Sequence, residues 1–496
     1  MIDSTRRNIL QSVKSLGGQD NPLRVKDLLS PERLRDFQVN TEFVSYDYSK
    51  QRITKDILKE LLLIPEKVDL KKSINDIFQG KNLNPTEKRR VSHILHRNSG
   101  NSDLPEIGKI LKQQNDFNYF INHRDSRFNS TIESIISISI GGSRLGPEML
   151  SEVFYDPEHT PLVHYCSSYD LKEIENAMHL SDPSKTILIV SSKSFNTEEI
   201  MVNFNRAKSW LKLGSDDFRD RIIGISANKK AMSDFEIKED NQFTILDSLG
   251  GRYSIWSSIS MPAVITMGSE KFEDLKAGAR EADKHFIERP WGQNIPVLMA
   301  LLSCWNMNGL GISNLGIFTY DFKIRSLVKY FSQMGMESNG KSFNEKNTKS
   351  FFDTCPLIWG GYGPEAQHSV FQWLLQGSYY SACDFIGIKD NLSGTSNSYQ
   401  MLLAQAAALS IGKEDNKNKY KSVEGNNPIS LFKLDELDPK SLGFLIATYE
   451  HKVFVESQIY GINPFDQWGV QLGKEFLTTS NRSKLMSKFF DPKFLS

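Results

Sequence analysis

Cysteine is scarce in this chain: Cys166, Cys304, Cys355 and Cys383 are the four in 496 residues, and no two form a C-x-x-C pair. Thiols so scattered exclude a disulfide framework and a cysteine-based zinc site, and they read as reduced core residues. Long apolar runs are missing too. No uninterrupted stretch is long enough to span a bilayer. The opening Met1-Ile2-Asp3-Ser4-Thr5-Arg6-Arg7 leads into no apolar segment of secretory length, so a cytoplasmic protein without a membrane partner is expected. The third absence is an excess of charge of either sign. Lys and Arg number 60 and Asp and Glu number 60, so no global field favours nucleic acid, and an anionic ligand has to be held by local geometry. No cluster of His, Cys, Asp and Glu has metal-ligand spacing, so neither metal nor cofactor is expected.

What is present suits a globular enzyme. With 39% apolar residues, a chain of this length holds two core-forming domains and has residues left for arms. The first hundred residues read as helical and charged. In Lys55-Asp56-Ile57-Leu58-Lys59-Glu60-Leu61-Leu62-Leu63 the apolar positions recur at helical spacing, and no strand-like run stands out. From Ile132 the pattern changes. Ser134 to Ile140 is β-branched and apolar and stops at Gly141-Gly142-Ser143, and short apolar runs follow at 162–166, 186–190 and 221–225. They recur at 315–320, 354–359 and 382–388, again with helix-length stretches between them. Strands alternating with helices predict βαβ units, hence an α/β fold of two doubly wound units in tandem. Residues 435–460 read as a long helix and 412–427 as a polar surface loop. The expected division is a helical arm at 1–100, a first α/β domain at 101–268, a second at 269–465 and a helical arm at 466–496.

Candidate chemistry collects at strand ends and in two later runs. Gly141-Gly142-Ser143 presents backbone N–H groups and a hydroxyl at a helix start, which makes an anion seat; the alternative is glycine needed for turn shape alone. Ser191-Ser192-Lys193-Ser194-Phe195-Asn196-Thr197 packs four hydroxyls and an amide into seven positions, which suits a phosphate. Helix capping by Ser194 or Asn196, with Glu199 completing a capping box, is the plainer use of the same residues. Gly250-Gly251-Arg252-Tyr253-Ser254 delivers a guanidinium from a glycine turn, as a ligand for oxygen or as an inter-domain salt bridge. His368 sits at a loop-to-helix junction and titrates near neutrality, which suits proton shuttling or a structural role. Glu337, in Met336-Glu337-Ser338-Asn339-Gly340-Lys341, is a carboxylate where a helix runs out. Lys474 follows two glycines in Asn463-Pro464-Phe465-Asp466-Gln467-Trp468-Gly469-Val470-Gln471-Leu472-Gly473-Lys474. A Glu base and a Lys cation suit proton abstraction beside a carbonyl, where charge must be accommodated on oxygen.

Together these two runs closely resemble the signature segments of the glucose-6-phosphate isomerase family. The likeness extends from about Phe43 to Glu475 and includes Tyr46-Asp47-Tyr48-Ser49-Lys50 and Leu95-His96-Arg97-Asn98. It implies two sugar-isomerase-type α/β sandwich domains with mainly parallel sheets. It also implies reversible isomerisation of glucose 6-phosphate to fructose 6-phosphate, in glycolysis and gluconeogenesis, through ring opening and a cis-enediolate. Carried over by position, Gly142, Ser143, Ser192, Ser194 and Thr197 bind the phosphate, with Lys193 supplying backbone. Glu337 is the base between C2 and C1, and Arg252 stabilises the enediolate. His368 and Lys474 open the ring, Glu199 orients the histidine, and Gln333 and Gln467 contact sugar or phosphate. The resemblance further implies a homodimer in which His368 serves the neighbouring subunit. Several positions depart from the family's commonest pattern. Ser194 and Asn196 replace threonines, Arg144 replaces an acidic or neutral residue, Gly363-Pro364-Glu365-Ala366 stands before Gln367-His368, and Ile245-Leu246-Asp247-Ser248-Leu249 replaces an aromatic-rich run. A sugar-phosphate sensor without chemistry, and an isomerase that also accepts mannose 6-phosphate, are the alternatives.

Overall fold

β-Branched runs that end at glycine or serine build two sheets, as their alternation with helical stretches predicts. The computed structural model describes residues 2–18, 23–81, 83–98, 104–123, 132–195, 197–214, 216–389, 397–478 and 486–494. In chain order the strands are β1 Gln38–Asn40, β2 Ser45–Lys50, β3 Leu83–Asn84, β4 Arg89–Arg90, β5 Ser134–Ser139, β6 Leu162–Cys166 and β7 Thr186–Ser191. They continue with β8 Ile222–Ser226, β9 Gln242–Thr244, β10 Asn314–Thr319, β11 Leu357–Tyr362, β12 Ala382–Ile388 and β13 Ile429–Leu434. The first sheet, ordered β6-β5-β7-β8-β9, is parallel throughout. The second, ordered β1-β2-β13-β12-β10-β11, is parallel from β13 to β11 and antiparallel at its other edge.

That antiparallel edge corrects the reading of the first hundred residues as strand-free. β2 pairs with β13, and β1 pairs with β2. Alternation is the physical reason: in Ser45-Tyr46-Asp47-Tyr48-Ser49-Lys50 the rings of Tyr46 and Tyr48 are buried on one face. β9 and β13 were also unforeseen. β9 is three residues long, too short to show a period, and β13 follows directly on the polar stretch that reads as loop. The long helix begins at Pro439, four residues later than expected, because Asp438 caps it through the N–H groups of Lys440 and Ser441.

The helix Pro439–Tyr460 lies against the helix Ser269–Glu288 and forms the centre of the molecule. Two glycines let the backbones touch. A Cβ on Gly278 would sit 1.8 Å from the Lys440 carbonyl oxygen, and one on Gly443 would sit 1.9 Å from that of Leu275. Into this dry contact the arm inserts Arg97, whose guanidinium meets Asp283 at 2.7 Å and also Glu450. His451 Nε2 lies 2.7 Å from Asp283, and the Trp256 indole N–H donates to Glu450 at 2.8 Å. Burial pushes the Glu450 carboxyl up, and Arg97 opposes that shift. Removing the cation leaves two uncompensated buried carboxylates, so Arg97→Met is expected to lower stability by about 3–5 kcal/mol, read from urea unfolding. A loss below about 1 kcal/mol would contradict this account. Because Trp256 ends the 3-10 segment Gly251–Trp256, the network also fixes the turn that carries Arg252. No helix among the described residues is long and apolar enough to cross a membrane.

Candidate active site

Parallel register brings the two hydroxyl-rich segments together. Ser139 lies opposite Ser191 on neighbouring strands, so 140–143 and 192–197 leave the same end of the first sheet side by side. After β7 the chain folds into a tight loop. The Ser192 hydroxyl accepts the Phe195 N–H at 3.1 Å, and Phe195 adopts a positive φ of 55°. The Lys193 carbonyl is held by the Ser226 hydroxyl at 3.0 Å and the Ala227 N–H at 3.1 Å, which anchors the loop to β8. The Lys193 ammonium turns to Asp247 at 2.8 Å, and burial pulls its pKa down. Thr197 is the N-cap of the helix Glu198–Leu211, yet its hydroxyl makes no capping bond. The N-cap is therefore neither Ser194 nor Asn196, the two residues of the capping alternative. Ser194 is exposed, and Asn196 lies outside the described residues.

Gly141 has φ 60° and precedes the helix Gly142–Val153. A Cβ on Gly142 would lie 2.2 Å from the Gly251 carbonyl carbon and 2.3 Å from the Arg252 nitrogen. The two Gly-Gly turns are thus packed backbone to backbone, which joins the hydroxyl-bearing end of the first sheet to the guanidinium. Ser143 opens the helix from which the next residue, Arg144, reaches away. Arg144 bonds Glu148 at 2.9 Å, Glu173 at 2.8 Å and the Ser167 hydroxyl at 2.5 Å, so its charge is neutralised by two carboxylates and it fixes the loop after β6.

Arg252 is the most constrained group of the site. Its side chain is 1% exposed and its donors are aimed by four hydrogen-bond acceptors. Nε donates to the Ser338 hydroxyl at 2.6 Å, Nη1 to Gln467 Oε1 at 2.9 Å, and Nη2 to the carbonyls of Pro464 at 2.6 Å and Asp466 at 3.0 Å. Glu337 Oε2 lies 3.5 Å from Nη1, and the Glu337 side chain keeps 23% of its surface open. Burial is tolerable for this cation because every direction is met by an oxygen. Gln333 stands one turn before Glu337 on the helix Leu327–Asn339, and its Nε2 lies 3.3 Å from where a Gly141 Cβ would be. The Gln333 Oε1 and the hydroxyls of Ser139 and Ser191 are buried with no hydrogen-bond partner among the described residues. Sequence reasoning passed over Ser139, which only the register of β5 and β7 sets beside Ser191.

The chain thus unites Gly142, Arg252, Gln333, Glu337 and Gln467, and it sets Ser143, Ser192 and Thr197 at one sheet end. His368 does not join them by any hydrogen bond among the described residues. Its side chain is exposed, on the turn after Gly363–Ala366. Glu199 is half-buried in the first turn of its helix, near the Tyr169 hydroxyl that donates to Glu198 at 3.2 Å, and no hydrogen bond joins it to His368 among the described residues. Lys474 belongs to the helix Gln471–Thr478, and its side chain lies outside the described residues.

Known proteins resemble this chain along nearly its whole length. The family pattern described as phosphoglucose isomerase matches residues 47–490. The glucose-6-phosphate isomerase of Acinetobacter baumannii strain AYE is 38% identical over 505 aligned positions, covering 94% of this chain and 91% of that protein. That of Ectopseudomonas mendocina is 36% identical, covering 90% and 87%. The crystal structure of a glucose-6-phosphate isomerase from Chlamydia trachomatis superposes with a TM-score of 0.89 at 27% identity, covering 99% of both chains. With the Gly-Gly-Arg turn, the glutamate helix and the C-terminal run joined by hydrogen bonds, and with relatives aligned along nearly its whole length, this chain belongs to the phosphoglucose isomerase family.

Proposed function

We propose that Glu337 is the base of a reversible isomerisation of glucose 6-phosphate to fructose 6-phosphate, and that Arg252 holds the charge that develops on substrate oxygen. One observation carries this reading: a half-open carboxylate lies 3.5 Å from a guanidinium that is fully buried and fixed on four other oxygens. The base is partly open to solvent, and the cation is enclosed. Ring opening comes first, with one proton onto the ring oxygen and one off the anomeric hydroxyl, for which His368 and Lys474 are the candidates. Glu337 then takes the C2 proton, and the electrons of that bond form the enediolate. A proton passes from O2 to O1 beside Arg252, and Glu337 returns its own to C1. Charge aimed in advance at a developing oxyanion is usually the largest catalytic contribution. General-base catalysis alone gives about 10²–10⁴-fold, so anchoring through the phosphate supplies much of the rest. In D2O, glucose 6-phosphate recovered from equilibrium should carry solvent deuterium at C2, seen by proton NMR. Interconversion without deuterium at C2 would sink the enediolate route.

Phosphate is seated by Ser143, Ser192, Ser194 and Thr197 together with the N–H groups of the two helix starts. Thr197 offers the cleanest test because its hydroxyl makes no capping bond. Thr197→Ala should raise KM for both sugar phosphates about tenfold, as expected for losing a hydrogen bond to a charged group. Thermal stability should change by less than about 0.5 kcal/mol. Unchanged inhibition by inorganic phosphate would put the seat elsewhere.

The exposed His368 side chain supports a homodimer in which each chain lends this histidine to its partner's site, beside Glu199. The reaction belongs to cytoplasmic glycolysis and gluconeogenesis.

A further inference from the structure

We infer that Lys341 is a positioning residue that ties the end of the Glu337 helix to the loop whose carbonyls hold Arg252. This rests on the reading of Glu337 as the base. The Lys341 ammonium is met by four oxygens: the carbonyls of Ser338 at 2.8 Å, Asn463 at 3.1 Å and Asp466 at 2.9 Å, and the Asp466 carboxylate at 2.9 Å. Ser338 is in the last turn of the helix, where carbonyls lack an intrahelical partner, so the ammonium closes that helix end. The other three acceptors come from the segment 463–466.

The two cations share their supports. The Ser338 hydroxyl receives Arg252 while the Ser338 carbonyl receives Lys341, and the Asp466 carbonyl accepts from both side chains. A shift of the helix end against the loop would therefore move Glu337 and the acceptors of Arg252 relative to each other. Asp466 is itself held. Its carboxylate accepts from Asn463 Nδ2 at 2.9 Å and from the Thr86 hydroxyl, and Asn84 Nδ2 donates to the Phe465 carbonyl at 3.1 Å. Asn84 and Thr86 belong to the β3–β4 hairpin, so the N-terminal arm braces the catalytic loop from behind. Burial lowers the Lys341 pKa, and Asp466 opposes it. The charged groups facing the ammonium are Asp466, Arg252 and Glu337.

The test compares Lys341→Met, the charge-balanced double variant Lys341→Met/Asp466→Asn, and Glu337→Gln in one coupled assay with thermal unfolding alongside. For folded Lys341 variants, kcat should fall about tenfold or more while KM stays within about threefold, because displacement of reacting groups costs rate rather than phosphate binding. In Lys341→Met the acidic limb of kcat/KM should also move to higher pH, because a positive charge near the base has been removed, whereas the charge-balanced double variant should leave the limb in place. A purely structural lysine would lower stability without moving that limb. Folded variants with unchanged kcat and an unchanged limb would overturn the proposal, as would failure of both variants to fold, which would assign Lys341 to stability alone. If Glu337→Gln stays active, the reading of the base fails instead, so the two failures are distinguishable.

Discussion

Glu337→Gln is expected to give a folded protein that binds ligand and turns over at least about 10²-fold more slowly than the parent. The substitution keeps the shape of the side chain and removes only its capacity to take a proton. Arg252 should not follow it out of place. Its guanidinium rests on Ser338, Gln467 and the carbonyls of Pro464 and Asp466, each closer than the 3.5 Å to Glu337. Because the Glu337 side chain is partly open to solvent, the stability lost with its charge should stay within about 1 kcal/mol. Inorganic phosphate should therefore inhibit the variant in an equilibrium binding assay as tightly as it binds the parent, while deuterium wash-in at C2 disappears with turnover. Activity above a few per cent of normal would remove Glu337 from the role of base.

Mixing two inactive proteins should restore activity. His368→Ala and Glu337→Gln, each dead alone, are unfolded together and refolded. If each site draws Glu337 from one chain and His368 from the other, a mixed dimer has one site with both lesions and one with neither. Random reassortment makes about half of the dimers mixed, so roughly a quarter of all sites should regain full activity. If His368 serves its own chain, every site retains a lesion and mixing gains nothing. The exposed position of His368, away from the Arg252 cluster, is what favours the first outcome.

The sequence was most readable where one local pattern decided the structure. Leu162-Val163-His164-Tyr165-Cys166 and Ala382 to Ile388 became strands with the expected ends, since short, mainly apolar runs of this length lie extended beside parallel neighbours. β11 runs from Leu357 to Tyr362 rather than from Thr354, because its limits come from pairing with β10 and not from its own residues. β2 was missed for the same reason: Ser45 to Lys50 becomes a strand by meeting β13, a partner nothing nearby announces. The site divides likewise. Glu337, Arg252 and the hydroxyl loop were legible through their runs. The contact of Gly142 with Gly251, the outward ion pairs of Arg144 and the bond from Lys341 to Asp466 were not, since each depends on segments far apart in the chain meeting at one register.

The pairing of β2 with β13 has a consequence for how the protein is made. Tyr46 and Ser430 share a hydrogen bond across 384 positions of sequence. A ribosome therefore releases β2 early and must synthesise most of the chain before its partner exists. Until then an aromatic strand waits with its edge unpaired, and so does the growing second sheet. Closing so long a loop is slow, and unpaired strand edges invite association between nascent chains. The first sheet needs no such wait, since its five strands all fall between residues 134 and 244. Order of synthesis thus makes the first sheet the part able to form early and the second the part most exposed to chaperones.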